Sequence, residues 1–583
     1  MLLHGRPVPV ALILLALVAL PAFAQQQLPP TSETIDVSII NVDVFVTDKK
    51  GNRVHGLTRD DFVIRENGKL QPITNFAEYA PETKRAEETV GAAGTPAEAA
   101  PPGVGAAPPS KRTIVIFIDL VPQPSARVRE VFSALRDFVH RAVRPGDSAT
   151  VVAFDVRLVT RQEFTDDTSA LSAALARLEG ESIGVAHQPA NAIRRAMASD
   201  QAEAMAIAAL GNETRKQVRG EVASTADLER KSSELFDLVE MSRKAAAMTS
   251  LMESMSGVDG KKIMVLALHR FGLRAGFDGF TETSNPIVPP DLRVEKLRQS
   301  VMRTANANGV TLYPIHPAGM RWTSNTDAED QRPDILKIDA DMDLQRFGAD
   351  NAILTNQTAS FLELAKETGG LMAAGPSDIV DLLPRVVDDL ESYYSLAYRA
   401  TPTGKDARRK VEVTARNRDY EVRSRRAVIE KSDDTQMDDR VAANLYQPLA
   451  HSVIPIQVET GAMKKTARKR WTVPVAVRVP IGALTMRTGD ARATGSFSVF
   501  IGSGGDFGVI SDVEHRTHEY AIPLGDLENA RRSYFTYNVF IEVDELPDAI
   551  SIGVRDDVSK EFGLARVPIP GRGGEEKQGG SLE

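Results

Sequence analysis

The sequence predicts an α/β protein whose central domain holds a doubly wound, mostly parallel sheet and whose C-terminal part is a β-sandwich. Continuous apolar runs of strand length, such as 113–118, alternate with segments of helical spacing, such as 125–143. Strands that alternate with helices are typical of parallel sheets covered on both faces. From 450 to 568 the pattern changes to about seven short segments of alternating polarity between turn residues, which indicates two packed antiparallel sheets.

The first 24 residues have the order of parts of a cleavable signal peptide. Arg6 gives the start its positive charge, residues 8–20 are almost all aliphatic, and residues 22–24 (AFA) form a cleavage pattern. The alternative is an uncleaved anchor, but the apolar run is short for a span of roughly 20 residues and Pro21 interrupts it. Because no later stretch is apolar enough to cross a bilayer, we expect a secreted or periplasmic protein with no integral membrane span after cleavage.

The composition excludes several kinds of site. The 583 residues include no cysteine and carry a formal net charge of −9. The chain therefore has no disulfide, thiolate metal site or cysteine nucleophile. Exported eukaryotic proteins of this size usually contain disulfides, so a bacterial source is favoured. The negative net charge also disfavours a nucleic-acid partner, because proteins that bind nucleic acids usually present a concentrated basic face.

The chain divides into segments of different composition. Alternating polarity and an Asn67-Gly68 hairpin turn predict a small flanking β unit at the N-terminus, over 34–79. The composition of 81–110, rich in Ala, Pro, Gly and Glu, predicts a flexible linker. The α/β domain covers 111–393, strands at 394–426 return to the N-terminal β unit, the β-sandwich covers 450–568, and 571–583 forms a disordered tail.

A helical insertion is predicted within the α/β domain. Residues 190–256 are rich in Ala, Met, Glu, Arg and Lys and contain almost no β-branched runs. A stripe of methionines in this segment either forms a partner-binding face or packs the helices together, and both interpretations stay open. The stripe consists of Met205, Met241, Met248, Met252 and Met255.

The α/β segment resembles a von Willebrand factor type A (VWFA) domain. The matching features are the strand 113–118 that ends in Asp119, the Gly146-Asp147 turn before the strand ending at Phe154, and the Gly260-Lys261-Lys262 turn before the strand 263–266. The flanks are similar to those of VWFA-related proteins common in acidobacteria, with GLT at 56–58, DF at 61–62, ENG at 66–68, TGG at 368–370, DL at 389–390 and YYSLAY at 393–398. This resemblance covers residues 34–426 and implies a ligand-binding domain.

VWFA domains typically bind ligands through a metal-ion-dependent adhesion site (MIDAS), whose first motif is Asp-x-Ser-x-Ser. Residues 119–123 read DLVPQ, so Asp119 is kept while Val121 and Gln123 replace both serines. Residues 185–188 read VAHQ where the family has a threonine, and His269 stands where it has an aspartate. One carboxylate with a distant imidazole is a poor set for Mg²⁺, which requires compact oxygen coordination. The resemblance therefore implies a degenerate MIDAS.

The carboxyl ends of parallel strands form the face where such sheets generally hold ligands. Asp119, Gln123 and His269 are therefore candidate binding residues of one loop face. Asp119 is also the remaining candidate metal ligand at this position. Its structural alternative is to cap the next helix or to accept hydrogen bonds from loop amides.

A second candidate metal site is a run of alternating aspartates. Asp339, Asp341 and Asp343 partly match a Ca²⁺ loop, but Leu344 stands where that loop requires glycine. A solvated loop is favoured for this run. We expect no cofactor, and Mg²⁺ or Ca²⁺ are the alternatives.

The sequence lacks the motifs of common enzyme classes. It contains no His-Glu-x-x-His, no Gly-x-Ser-x-Gly and no phosphate-binding Gly-x-x-x-x-Gly-Lys-Ser/Thr. We therefore expect a non-enzymatic, adhesion-type binding protein with no catalytic residue and with protein partners in the cell envelope. Two alternatives stay open: a structural envelope protein that contacts partners through its β-sandwich, and a hydrolase that uses an atypical site of His269 and Asp119.

Overall fold

The computed structural model describes residues 38–80, 111–120, 125–155, 157–186, 225–268, 271–272, 292–316, 358–373, 376–401, 403, 405–446, 452–467, 470–504, 511, 513–543, 547 and 549–569. Within these ranges the chain has a mixed α/β fold, as the sequence predicts. The predicted signal peptide (1–24), linker (81–110) and tail (571–583) lie outside the described residues.

The elements follow one another in three groups. The first group contains β1 (Ser38–Asp48), β2 (Phe62–Glu66), β3 (Lys69–Gln71) and β4 (Ile73–Tyr79). The second contains β5 (Arg112–Asp119), α1 (Ser125–Ala142), β6 (Ser148–Asp155), β7 (Arg157–Thr165), α2 (Thr168–Ala186), α3 (Thr225–Ser254), β8 (Lys261–Ala267), α4 (Leu292–Asn308), β9 (Val310–Ile315), α5 (358–368) and α6 (Pro376–Glu391). The third contains β10 (Tyr393–Ala400), β11 (Ala407–Ala415), β12 (Tyr420–Ser424), β13 (Ala427–Glu430), α7 (Asp433–Tyr446), β14 (Gln457–Thr460), β15 (Lys464–Ala467), β16 (Arg470–Pro480), β17 (Arg487–Thr488), β18 (Arg492–Gly504), β19 (Glu514–Pro523), α8 (Leu527–Arg531), β20 (Tyr534–Val543), β21 (Ala549–Asp556) and β22 (Phe562–Pro568).

The central sheet has the strand order β7-β6-β5-β8-β9. The strands β6, β5, β8 and β9 are parallel, whereas β7 runs antiparallel to β6. The antiparallel pairing follows from the length of the connection, because a single residue separates β6 from β7. A parallel connection needs a crossover of about a dozen residues or more.

Helices pack on both faces of the central sheet. The first face shares a core with α1, α2 and α6, and the second shares a core with α3, α4 and α5. Side chains of β5 alternate between these cores: Ile114, Ile116 and Ile118 join the first, whereas Val115 and Phe117 join the second. Because all of β5 is buried, its sequence is a continuous apolar run instead of an alternating one.

Helix α3 is the described part of the helical insertion predicted for 190–256. Four methionines of the predicted stripe are described here, and each is at most 2% exposed within the second core: Met241, Met248, Met252 and Met255. These side chains therefore pack α3 onto the sheet, while Met205 lies outside the described residues. Within the described part of the chain, no helix is both long and apolar enough to span a membrane.

The strands after the α/β segment pair with the strands before it. β10 lies between β1 and β4, and β11 lies beside β2. The resulting sheets, β12-β1-β10-β4 and β13-β11-β2-β3, share one hydrophobic core. Tyr394 of β10 holds the connection between β1 and β2, since its hydroxyl accepts from Leu57 N at 3.2 Å and donates to Val54 O at 3.0 Å.

The C-terminal part contains two antiparallel sheets. β16 is paired with β14, β15 and β20, and β18 lies at the centre of a sheet with β17, β19, β21 and β22. The inner residues of β16, β18 and β21 lie in one hydrophobic core. The first strand of this part, β14, begins at Gln457, seven residues after the predicted start of the β-sandwich at 450.

Helix α7 connects the C-terminal sheets with the α/β segment. Met437 and Val441 pack against Phe500 of β18. On the other side, Ser256 Oγ donates to Asp439 O at 3.1 Å. Lys431, just before α7, donates to Asn308 Oδ1 at 2.6 Å. Tyr446 at the end of α7 also packs against the second core of the α/β segment, so the helix contacts both parts of the chain.

The turn before β8 requires glycine. Gly260 has φ +97°, and a Cβ at this position would lie 1.9 Å from Lys111 O. We expect Gly260→Ala to lower the free energy of unfolding by at least about 2 kcal/mol, because both the backbone conformation and the close approach exclude a side chain. Gly180→Ala in α2 is the matched control, since its Cβ would meet nothing within 4 Å. That change should stabilise the helix by about 0.5–1 kcal/mol. Urea denaturation followed by circular dichroism measures both, and equal midpoints would contradict this account.

The carboxyl of Asp438 on α7 is expected to make stability depend on pH. Burial, with smaller contributions from Asp434 and Asp439, raises its pKa to about 6, and His515 and Arg555 act in the opposite direction. A folded-state pKa above the unfolded value means that stability is fully present below about pH 4 and is lost as pH rises through about 6.

Asp438→Asn should remove this contribution to the pH dependence, so the variant should be more stable than the parent at pH 7 and similar to it at pH 4. Urea denaturation at pH 4 and pH 7 checks this, and Asp526→Asn, at an exposed position, is the control. An unchanged difference in stability between pH 4 and pH 7 would show that the carboxyl is not coupled to folding.

Candidate functional site

Asp119 lies at the carboxyl edge of the central sheet, as the last residue of β5. The parallel register places it beside Phe154 of β6, and Leu120 N donates to Phe154 O at 2.9 Å. Asp119 is 6% exposed and therefore lies beneath the loop face instead of on it. A carboxylate in this position requires a cation or strong hydrogen-bond donors to remain ionised.

Lys244 of α3 supplies that cation. Its Nζ lies 2.6 Å from Asp119 Oδ2, and the two side chains are 0% and 2% exposed. Glu240, one turn earlier on α3, forms a second ion pair with Nζ from a partly exposed position. The packing of Met241 and Met248 against the sheet holds this face of α3 over β5. The ammonium group is thus enclosed between a sheet carboxylate and a helix carboxylate.

The charges around Lys244 keep it protonated. Burial acts to lower the pKa of this lysine, but the charges of Asp119 and Glu240 and their hydrogen bonds outweigh burial and raise the pKa above its ordinary value. Because a raised lysine pKa stabilises the fold below the unfolded value, this contribution is present at neutral pH. It is lost only when the pH rises past about 10.4, the ordinary lysine value.

A divalent cation does not fit this arrangement. The MIDAS metal would need oxygen donors around Asp119, but Oδ2 of this carboxylate already contacts a fully buried ammonium. Mg²⁺ binds oxygen at about 2.1 Å, so it would stand within a few ångströms of Lys244 with no side chain between the two charges. Among the described residues, no group of three or more His, Asp or Glu side chains is placed to hold a metal.

The other predicted site residues lie outside the described part of the chain. This applies to Gln123 and His269 of the loop face and to the candidate calcium run of Asp339, Asp341 and Asp343. His269 follows Leu268, which is buried directly after β8. Of the three predicted loop-face residues, the structure therefore places Asp119 alone, in an ion pair with Lys244.

Lys244 and Glu240 were not predicted from the sequence, although a signal for Lys244 is present. Lys244 follows Met241 by three residues and precedes Met248 by four, so it lies within the apolar stripe of α3. A lysine on a buried helical face is almost never fully buried unless it is paired. Its partner could not be identified from spacing, because 125 positions separate it from Asp119 in the chain.

No protein-family model and no curated protein matches the chain. Solved structures that resemble it include a von Willebrand factor type A protein from Catenulispora acidiphila (11% identity, 79% of this chain, 66% of that chain, TM-score 0.22). Another is the vWF domain of the type V pili tip protein Mfa5 from Porphyromonas gingivalis (11% identity, 48% of this chain, 95% of that chain, TM-score 0.20). A third is the pilus adhesin SpaC from Lactobacillus rhamnosus GG in its open conformation (8% identity, 79% of this chain, 56% of that chain, TM-score 0.24). The matches span less than two thirds of the C. acidiphila and SpaC chains.

Two of these three structures are of the family that the sequence resembles.

Removal of Lys244 should be strongly destabilising. Lys244→Met leaves Asp119 charged and buried without its cation, which typically costs about 3–5 kcal/mol of unfolding free energy. The double variant Asp119→Asn, Lys244→Met should recover most of this loss, because no uncompensated charge remains at Asp119. Urea denaturation of the parent, the single and the double variants measures the coupling. Lys296→Met, at an exposed position of α4, is the control and should change stability by less than about 0.5 kcal/mol. Additive effects of the two single substitutions would contradict the ion pair.

Proposed function

We propose that this chain is an exported, non-enzymatic binding protein of the adhesion type, in which a VWFA-like domain works without a metal ion at its degenerate MIDAS. The observation that supports this most directly is the buried ion pair of Lys244 and Asp119. The family resemblance implies a divalent cation beside this aspartate, and the chain supplies an ammonium group there. The binding face would therefore form on folding without a bound metal ion.

The same proposal includes the finer architecture. The packing of α1, α2 and α6 on one face and of α3, α4 and α5 on the other supports a doubly wound sheet. The core shared by the two C-terminal sheets supports a β-sandwich. Export is supported by the order of parts in the first 24 residues.

We place the partner contact on the loop face at the carboxyl ends of β5, β6, β8 and β9. Asp155 is exposed at the end of β6 and is an accessible marker of this face. Gln123 and His269 remain candidate contributors from the adjoining loops. Proteins of the cell envelope are the proposed partners, because an exported protein meets them and the formal net charge of −9 disfavours a nucleic-acid partner.

A hydrolase built on Asp119 and His269 is disfavoured. Asp119 is 6% exposed and its Oδ2 contacts Lys244, so the carboxylate is not placed to reach a substrate. A catalytic base or nucleophile must come within hydrogen-bond distance of the reacting group.

A second candidate function has its own supporting observation in the C-terminal sheets. Phe540 and Tyr534 of β20 are 72% and 48% exposed. They are six residues apart, so the two-residue period of a strand places them on the same face. Large exposed aromatic side chains are typical of contact surfaces, which favours a structural role through the β-sandwich as the alternative.

Capture of envelope proteins on immobilised full-length chain tests both candidates. The leading proposal expects capture that persists in EDTA and is lost in Asp155→Lys, because charge reversal on the loop face repels a partner. The matched control is Asp137→Lys, at an exposed position of α1 away from this face. The second candidate expects loss in Phe540→Asp, with the exposed Val380→Asp of α6 as its control.

Loss of capture in EDTA with recovery on addition of Mg²⁺ would overturn the metal-free proposal. Capture lost in Phe540→Asp and kept in Asp155→Lys would replace the loop face with the β-sandwich. Calorimetric titration of the parent with Mg²⁺, Mn²⁺ and Ca²⁺ is the companion measurement, and saturable heat that disappears in Asp119→Asn would contradict the metal-free site.

A further inference from the structure

A cavity lies at the opposite edge of the central sheet, between the N-terminal β unit and helix α6. Its volume is about 370 Å³, a size that is common among small-molecule sites. The β unit contributes Arg53, His55 and Arg423, and α6 contributes Arg385, Asp388 and Glu391. The remaining lining includes hydroxyl and amide groups from both sides. The walls are therefore rich in hydrogen-bond donors.

Local structure fixes the position of Arg53. The turn after β1 is closed by Asp48, whose Oδ1 accepts from Lys50 N at 2.8 Å and from Asn52 N at 2.9 Å. Gly51 at φ +83° allows the chain to reverse there. Arg53 follows this turn, and its guanidinium group contacts Asp389 near the end of α6. The arginine is thus presented by a rigid turn and does not depend on a loose loop.

Arg53 and Arg423 share one carboxylate. Both guanidinium groups contact Asp389 of α6, and Arg423 Nη2 lies 2.8 Å from its Oδ1. Asp389 is fully buried and also accepts from Tyr313 OH at 2.8 Å. Among the described residues, Nη1 of Arg53 has no hydrogen-bond partner. One carboxylate therefore serves two arginines and leaves donor capacity unused.

A third basic side chain lies directly behind this pair. Lys261, the first residue of β8, donates to Asp389 O at 2.5 Å, and its Nζ lies 3.6 Å from the centre of the Tyr393 ring. Burial lowers the pKa of Lys261 to about 7, with Asp43 opposing this shift and Arg53 and Arg423 contributing to it. Burial also lowers the pKa of Arg53 to about 10, with Arg423 acting in the same direction. Arg53 and Arg423 therefore act on each other as like charges while they share Asp389.

The two carboxylates that line the cavity do not reverse this balance. Glu391 is engaged by Arg144 of the segment after α1. Asp388 is exposed on α6, one turn beyond the exposed Arg385. These residues offset each other, so the surplus positive charge of the Arg53 and Arg423 wall faces the cavity.

We propose that this cavity is a binding site for a small dianion with oxygen acceptors, such as a phosphate group or a dicarboxylate. The site is separate from the loop face of the proposed function, because it lies at the amino ends of the strands. Guanidinium groups present parallel donors that match the oxygens of phosphates and carboxylates. A bound dianion would accept from Arg385 and from the arginines of the β unit and would balance their charge.

Calorimetric titration of the full chain with inorganic phosphate and with succinate, at constant ionic strength, tests the site. We expect saturable binding of at least one of them. Arg385→Ala should weaken that binding about fivefold to tenfold, because one charge-assisted contact is lost from an exposed position. Asp388→Asn should strengthen it, since a lining carboxylate that repels the ligand becomes neutral. Arg399→Ala, an exposed arginine of β10 outside the cavity, is the matched control and should leave affinity unchanged.

The relative affinities for phosphate and succinate identify the chemistry of the ligand. The proposal is overturned if neither anion binds saturably, or if Arg385→Ala and Asp388→Asn both leave the affinity unchanged. Both substitutions are at exposed positions, so loss of folding is not expected, and the melting temperature of each variant without ligand verifies this. Neither residue contributes to the loop face, so failure of this site leaves the proposed function untouched.

Discussion

The fold depends on the complete burial of β5. Each of its eight residues is buried, and the strand carries a charged side chain at each end, Arg112 and Asp119. Neither charge can reach bulk water, so each requires a partner inside the protein. Arg112 is paired with Asp147 of the turn before β6, and Asp119 with Lys244 of α3. The central strand is thus held at its two ends by different elements, and these pairings fix where the turn and the helix stand against the sheet.

The pairing at Asp119 has a consequence for binding. A metal-dependent site presents an open coordination position to a ligand, whereas an ammonium from the same chain closes the carboxylate from within. Lys244 lies on a helix whose methionines form part of the second core, so release of the lysine would disturb the packing of α3. A ligand is therefore not expected to reach the Asp119 carboxylate itself.

Much of the architecture could be predicted because it follows from local patterns. The strand of β5 is a continuous apolar run, and β20 alternates over its whole length, so their bounds agree closely with the sequence pattern. The direction of β7 was not predicted, since it depends on the length of the connection rather than on the strand itself. Lys244 was missed for a different reason: a helical stripe shows that a lysine is buried, but the identity of its partner depends on tertiary packing. The same holds for Asp389, whose two arginines come from segments more than 30 and more than 300 residues away.

The two edges of the central sheet differ in how completely their charges are balanced. At the carboxyl edge, Lys244 stands between two carboxylates, and the buried aspartate is satisfied within the protein. At the amino edge the ratio is reversed, because Asp389 faces Arg53 and Arg423 while Lys261 lies behind them. A buried surplus of like charge is unfavourable unless an opposite charge approaches it. The N-terminal β unit places Arg53 and Arg423 there, so this unit both completes the fold and creates the positive wall. Asp389 accepts from both guanidinium groups where one arginine would balance its charge, and the second arginine is the feature that favours an anion from solution.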